Sequence, residues 1–434
     1  RPAVLPPMRA RGGGTSSEEK PASSPSRSPS LSSSAASSLY SPSLSPSHSP
    51  STRSLSSLSS TTALTPTMEV ALSGFEHQVG GHFGLLRCEG HVAKPLDARE
   101  LAFYKQMSPR FRKFTPAYCG TVHVRAAIRK DNRLRIWSEV PADNCHPAQA
   151  SEPEQLKAHD GERPVALVFR VNSSGVVEVE FKKDAHHHWA AECQIKVVQK
   201  LLAGGSSPFI LLENIVAGMS RPCVLDLKMG TRQHGDDASI EKQHAQRRKC
   251  AESTSAALGV RMVGMELYEA HTSSYSFVDK MEGRQMDERS FVDCLKRFVH
   301  TAGRARVVAL RSRLKELRSA MDLADGFRFF SSSILIAFDA AQADANIELR
   351  MIDFAHSTFK DFFGDKPYDG PDDGYIKGID TLLGITKQCK RSAVWLEASE
   401  ENDCCQAKLA AAGPGTSPVP GGPLSEPSRN ASDS

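Results

Sequence analysis

Read for the spacing of its apolar positions, the chain between residues 69 and 396 predicts short strands separated by a few longer helices. The segment "FGLLRCEGHVAKPL" (83–96) gives two strands joined at Glu89-Gly90, the second carrying Lys94. Asp97 follows as an N-cap, Glu100 stands three residues on as in a capping box, and Leu101, Phe103 and Tyr104 give the ensuing helix an apolar side. Further strands are predicted in "GTVHVRAAI" (120–128) and "PVALVFRV" (164–171), and the polar stretch between them, about 129–163, reads as a loop or insertion. A helix is expected over 189–202. "PFILLENIVAG" (208–218) is an apolar strand running into Glu213-Asn214, and the strand after it makes either a hinge between lobes or a buried hairpin.

That next strand opens "PCVLDLKMGTRQHGDDAS" (222–239), which sets a carboxylate and an amine two positions apart. Successive strand side chains face opposite sides, so Val224, Asp226 and Lys228 share one face while Cys223, Leu225 and Leu227 share the other. One face packs; the other is offered to a ligand, unless its two charges simply pair near solvent. A helix is expected from Ser239, its cap, to Leu258, with Gly259 as its stop. Lys242, His244, Arg247, Arg248 and Lys249 crowd its early turns, where they and the positive helix end suit a polyanion; a solvated helix face is the plain alternative. Helices over 287–300 and 304–322 come next, the arginines of the second reading as its solvent side. Strands over 327–339 and 346–359 pair as a hairpin, with Leu349, Met351 and Asp353 on one face. Asp353 with His356 three residues later fits a Mg²⁺ site bridging nucleotide phosphates, or else an aspartate capping a turn.

Composition narrows the picture. Residues 1–68 are mostly Ser, Pro and Leu, and 397–434 turn to Ala, Gly, Pro and Ser, so both ends read as disordered tails around a core large enough for two lobes. A net charge of +4 gives no footprint for nucleic acid. The ten cysteines are scattered without a C-x-x-C pair, which suits reduced thiols in the cytoplasm or nucleus. No apolar run is long enough to span a membrane. The chain opens on Arg1 rather than Met, so a preceding targeting segment stays open. His186, His187 and His188 cannot converge on one ion from consecutive positions and read as a solvated lead-in to the helix near Trp189.

Taken together, these stretches resemble the inositol polyphosphate kinase family, most closely its inositol hexakisphosphate kinase branch. The family motif Pro-x-x-x-Asp-x-Lys-x-Gly is met by Pro222, Asp226, Lys228 and Gly230. Ser332, Ser333, Ile334 and Leu335 stand for Ser-Ser-Leu-Leu, with Ile for the first Leu, and Ile352, Asp353 and Phe354 for Ile-Asp-Phe. "TRQHGDDAS" (231–239), "HQVGGH" (77–82), "FRKFTPAY" (111–118) and "DGPDDGYIKGID" (369–380) look like the hexakisphosphate branch. The resemblance covers roughly 70–395.

It implies a two-lobed α+β kinase fold, distantly similar to protein kinases and SAICAR synthase, with an N-lobe over 69–212, a C-lobe over 213–396 and ATP between them. By the same resemblance Lys94 contacts nucleotide phosphates, and Glu213, Asn214 and Ile215 form the adenine hinge. Asp226 lies near ribose and acceptor, Lys228 meets substrate phosphate, and Ser332 joins Asp226 and Lys228 in the catalytic set. Pro222, Lys242, His244, Arg247, Arg248 and Lys249 serve the inositol phosphate, and Asp353 and His356 hold Mg²⁺. The implied reaction is ATP-dependent phosphorylation of inositol hexakisphosphate to a diphosphate, with the pentakisphosphate open as a second acceptor. An inositol polyphosphate multikinase, a trisphosphate 3-kinase and a catalytically silent scaffold are the alternatives.

Overall fold

The computed structural model describes residues 69–81, 83–139, 168–180 and 188–390. Both predicted tails, most of the polar stretch, and His186 and His187 lie outside these residues.

Alternating burial builds the first lobe. Strands β1 (Glu69–Gly74), β2 (Leu86–Cys88) and β3 (His91–Pro95) lead to helices α1 (Ala98–Gln106) and α2 (Pro109–Arg112). Strands β4 (Tyr118–Ile128) and β5 (Leu134–Glu139), the hairpin β6 (Val168–Val171) and β7 (Val177–Glu180), helix α3 (His188–Gly204) and strand β8 (Ser207–Glu213) follow. Six of these strands close an antiparallel barrel in the order β1-β2-β3-β8-β4-β5. Val70, Leu86, Ala93, Val124, Ile136 and Leu211 fill its interior, and Val198 and Leu201 of α3 join that core. With Ala93 turned inward, its neighbours Val92 and Lys94 must face out of the barrel.

The second lobe is a five-stranded antiparallel sheet, ordered β11-β10-β9-β12-β13. Chain order gives β9 (Pro222–Met229), α4 (Ile240–Ala251), α5 (Thr254–Leu258), β10 (Val260–Glu269), β11 (Ser274–Val278), α6 (Lys280–Gln285) and α7 (Glu288–Ala302). Then come α8 (Arg304–Asp322), β12 (Ser333–Asp339), β13 (Glu348–Ile352) and α9 (Asp373–Lys390). Helices α7, α8 and α9 lie on the sheet, so Leu225, Leu227 and Met229 enter one core with Leu295, Leu314 and Ile379. The other face of β9 keeps Val224, Asp226 and Lys228 for the cleft.

β8 belongs to the barrel and β9 to the sheet, so 214–221 is the crossing between lobes and not the turn of a hairpin. Its far end is pinned by the Asp339 carboxylate, which accepts from the Ser220 and Arg221 N–H groups at 2.9 Å each. Helix α1 ties the lobes again: Phe103 stacks on Phe354 at 4.8 Å between centroids and Arg99 pairs with Asp365, so α1 belongs to the core of the second lobe.

Several local expectations change. The polar stretch contains β5, whose Ile136 is an interior barrel residue. The helix expected over 239–258 breaks after Ala251, because Ser253 caps a second helix by accepting from the Ser255 N–H. Glu100 does not close a capping box; its Oε1 accepts from Lys94 Nζ at 2.8 Å and the Phe354 N–H at 3.1 Å. Arg306 on α8 is buried rather than solvent-facing, donating to the carbonyls of Ala302, Asp339 and Asn346. β13 stops at Ile352, so Asp353 is not on its face.

Candidate active site

A cavity of about 370 Å³ lies between the lobes. Three walls meet there: β3 with α1, the cleft face of β9, and the 353–356 segment.

On the first wall Lys94 Nζ sits 2.6 Å from Asp353 Oδ1 and 2.7 Å from Glu100 Oε2. Burial alone would pull this amine down, yet Asp353 and Glu100 more than offset it and hold the ammonium charged. Burial, reinforced by Asp353 and opposed by Lys94, raises Glu100. Asp353 has φ +66° and Ser331 φ +61°, left-handed conformations in two non-glycine residues that both line the cavity. Such strain persists only where the surroundings impose it.

On the second wall Asp226 is 2% exposed and its Oδ1 has no hydrogen-bond partner among the described residues. The β1–β2 connection covers it: a Cβ on Gly80 would fall 1.9 Å from Asp226 Oδ2, and one on Gly264 would fall 1.8 Å from the Val79 carbonyl oxygen. Only glycine permits this approach. Burial, with Asp353 adding to it and Lys228 opposing, pushes the Asp226 carboxyl up to about 6. If ionised Asp226 is required, kcat/KM of the free enzyme will fall with unit slope below about pH 6. An Asp226→Asn enzyme, slower throughout, will lack that limb, and a pH series on both proteins checks it.

Lys228 is lowered by burial, with Arg261 and Lys94 adding and Asp353 and Asp226 opposing. Arg261 lies across from it on β10 and is itself lowered by burial and by Arg284. Lys280 of α6, 3.4 Å from the Gly81 carbonyl and 4.8 Å from the Trp189 ring centroid, is brought down to about 8 by burial, Lys228, Arg284 and Arg261. Lys228, Arg261 and Lys280 are each lowered by burial and then by neighbouring cations, a balance that an added anion would relieve. Arg261, Lys280 and Arg284 are absent from the sequence-derived set. Lys280 and Arg284 share a face of α6 at i, i+4 spacing, a signal that was available.

The other candidates divide. Glu213, Asn214 and Ile215 line the cavity, and no acceptor among the described residues is bonded to the Ile215 N–H. Glu213 is fastened by the Ala117 N–H at 3.1 Å and Arg350 at 3.8 Å. On α4, Lys242 lines the cavity together with Gln246, and Arg247 lines a smaller recess with Gln233 and His234. His244, Arg248 and Lys249 line neither, and the first two are exposed. Pro222 begins β9 opposite Asp339, away from the cavity. Ser332 is buried with its Oγ donating to the Phe329 carbonyl at 2.9 Å, so it holds a turn while Ser331 faces the site.

His356 lines the cavity; burial, then Lys242, lowers its pKa, and its buried Nδ1 lies 3.9 Å from Asp237 Oδ1 without a hydrogen bond. No group of three or more His, Cys, Asp or Glu among the described residues could hold a metal ion alone. The donors present are two carboxylates, Asp353 and Asp226, and one neutral imidazole. That sparse, oxygen-rich set fits Mg²⁺, which takes one or two protein carboxylates and completes its shell with phosphate and water.

The chain matches the inositol polyphosphate kinase family model over residues 209–387. It is 33% identical over 377 residues to inositol hexakisphosphate kinase 3 of Mus musculus, covering 73% of this chain and 95% of that protein. Against inositol hexakisphosphate kinase 1 of Rattus norvegicus it is 31% identical over 406 residues, 74% of this chain and 94% of the other. An inositol phosphate multikinase from S. cerevisiae, solved with ADP and Mn²⁺, aligns at 20% identity and TM-score 0.43 over 69% of this chain and 98% of that one, too low to carry ligand positions across.

Proposed function

The chain belongs to the inositol polyphosphate kinase family, and from that premise we propose that it transfers the γ-phosphoryl group of Mg²⁺-bound ATP to a phosphate of inositol hexakisphosphate, forming a diphosphate. The observation that carries the choice of acceptor is that Lys228 lines the cavity together with Lys94 and Lys242, with Arg261 opposite Lys228 on β10. A polyphosphate would add negative charge beside Lys228 and Arg261, where Asp226 already acts on both.

The acceptor oxygen already belongs to a phosphate and is anionic near neutral pH, so it needs no strong base. It attacks the γ-phosphorus as the bond to the ADP oxygen breaks. The protein's task is to hold like charges together in line. Lys94 holds the donor phosphates, Lys228 stands between donor and acceptor, and Asp226 keeps Lys228 oriented. Asp353, with Asp226 and His356, would hold Mg²⁺, which would supply neutralisation of phosphate charge. The Ile215 N–H reads the adenine edge, held in place by the Glu213 and Asn214 N–H groups, which bond the Ala117 and Gly90 carbonyls. The seven described cysteines are free thiols, in keeping with a reducing compartment, cytosol or nucleus.

The full chain, incubated with Mg-ATP and inositol hexakisphosphate and analysed by phosphate number, is expected to yield a product with one phosphate more than the substrate. Turnover of a tris- or tetrakisphosphate alone would move it to a sister activity. Silence on every inositol phosphate would leave the scaffold reading.

A further inference from the structure

Residues 231–239 run from the end of β9 to the cap of α4, and they shape the cavity's acceptor side. Gln233 lines the cavity with its amide fixed to the Met229 and Gly230 carbonyls at 2.8 and 2.9 Å. Gly235 packs so closely that a Cβ there would fall 2.5 Å from Asp237 Oδ1 and 3.5 Å from His356. Ser239 caps the helix that brings Lys242 and Gln246 to the wall.

The arginine of this segment lines the small recess that Arg247 lines and keeps about a third of its side chain (32%) exposed, yet each guanidinium nitrogen is bonded within the protein. Arg232 Nε donates to the His234 carbonyl at 3.0 Å, Nη1 to Tyr368 Oη at 2.9 Å and Nη2 to Asp236 Oδ1 at 2.6 Å. Its carbon lies 4.0 Å from the Phe330 ring centroid. Tyr368 Oη donates to the same Asp236 oxygen at 2.7 Å, and its ring meets Phe330 edge-on at 5.7 Å. All three guanidinium nitrogens are engaged within the protein. None of Arg232, Asp236, Phe330 and Tyr368 lines the main cavity.

We propose that Arg232, closed by Asp236 and Tyr368 over the Phe330 ring, is a positioning residue for the acceptor: a lock that sets the 231–239 segment rather than a ligand to phosphate. It deepens the kinase reading above and rests on it. Lys94, Glu100 and Asp353 stand on other elements, so the lock bears on the polyphosphate side, and His356, beside Gly235 and Asp237, is where the segment meets the Mg²⁺ side. Lysine cannot replace it, because the fork and the flat face are what the lock uses.

The test compares Arg232→Lys, which keeps the charge, with Tyr368→Phe, which removes one oxygen and no charge. Both are expected to raise the KM for inositol hexakisphosphate, by about tenfold and about threefold, with the KM for ATP within about twofold of wild type. The salt dependence of the acceptor KM stays as in wild type, since no ligating charge is lost. Amide hydrogen exchange over 231–239 quickens in both. A weaker salt dependence in Arg232→Ala with Tyr368→Phe silent would make Arg232 a direct ligand and overturn the lock. Equal rises in both KM values would reduce it to general stability. If the wild-type protein neither binds nor turns over the acceptor, the kinase reading fails, and unchanged exchange over 231–239 in the variants would separately refute the lock.

Discussion

An Asp353→Asn enzyme is expected to fold, to bind ATP, and to turn over at no more than about a thousandth of the wild-type rate. Asparagine tolerates the left-handed conformation that Asp353 adopts at φ +66°, so the backbone strain is not worsened. Lys94 keeps Glu100 as a counter-charge at 2.7 Å, so the substitution does not strand a buried ammonium. What goes is a negative oxygen at the place where Mg²⁺ and the transferring phosphoryl group would meet. The check is single-turnover kinetics against Mg²⁺ concentration together with a thermal melt. A fall of less than tenfold, at unchanged Mg²⁺ demand, would remove Asp353 from the metal site.

Lys228→Met comes second in size. Methionine keeps much of the stem and deletes the charge, in a residue that is 7% exposed. Two unit charges brought to about 4 Å at an effective dielectric of about 20 repel by about 4 kcal/mol, and a cation between donor and acceptor cancels a term of that size. Its loss should therefore cost kcat about a thousandfold while the KM for ATP, set by Lys94 and the 213–215 crossing, moves less than about threefold. Asp226 would also lose an opposing charge, so any residual activity should show its acid limb above about pH 6. A variant with normal kcat and a raised acceptor KM would make Lys228 a binding group only.

Much of this was legible in the sequence, and the failures have physical causes. The Glu89-Gly90 turn marked the two strands of 83–96, and the Leu-Asp-Leu-Lys order over 225–228 marked the cleft face of β9. β10 escaped notice because it is buried along nearly its whole length, so Arg261 stands in an apolar run with no polar face to announce it. Glu100 met a local rule, three residues after an N-cap, while Phe354, whose N–H its carboxylate accepts, lies more than two hundred residues away. The basic run of α4 could have been sorted by helix geometry: at 100° per residue His244 and Arg248 point away from Lys242 and Gln246. Net charge was no guide to the cation cluster, since its members come from β9, β10 and α6.

Helix α1 sets a problem of timing for the growing chain. Phe103 is completed early in synthesis, but Phe354, on which it stacks, follows about 250 residues later. At roughly 5–20 residues per second that interval is on the order of ten to fifty seconds, far longer than a small barrel needs to fold. The barrel closes only when β8 is complete, and for the roughly 140 residues from there to Phe354 it carries Phe103, Tyr104, Phe111 and Phe114 without the core that will bury them. The arrangement that brings Glu100 against Asp353 in the finished enzyme thus leaves an adhesive apolar patch on the ribosome-bound chain, a natural place for a holding chaperone to act.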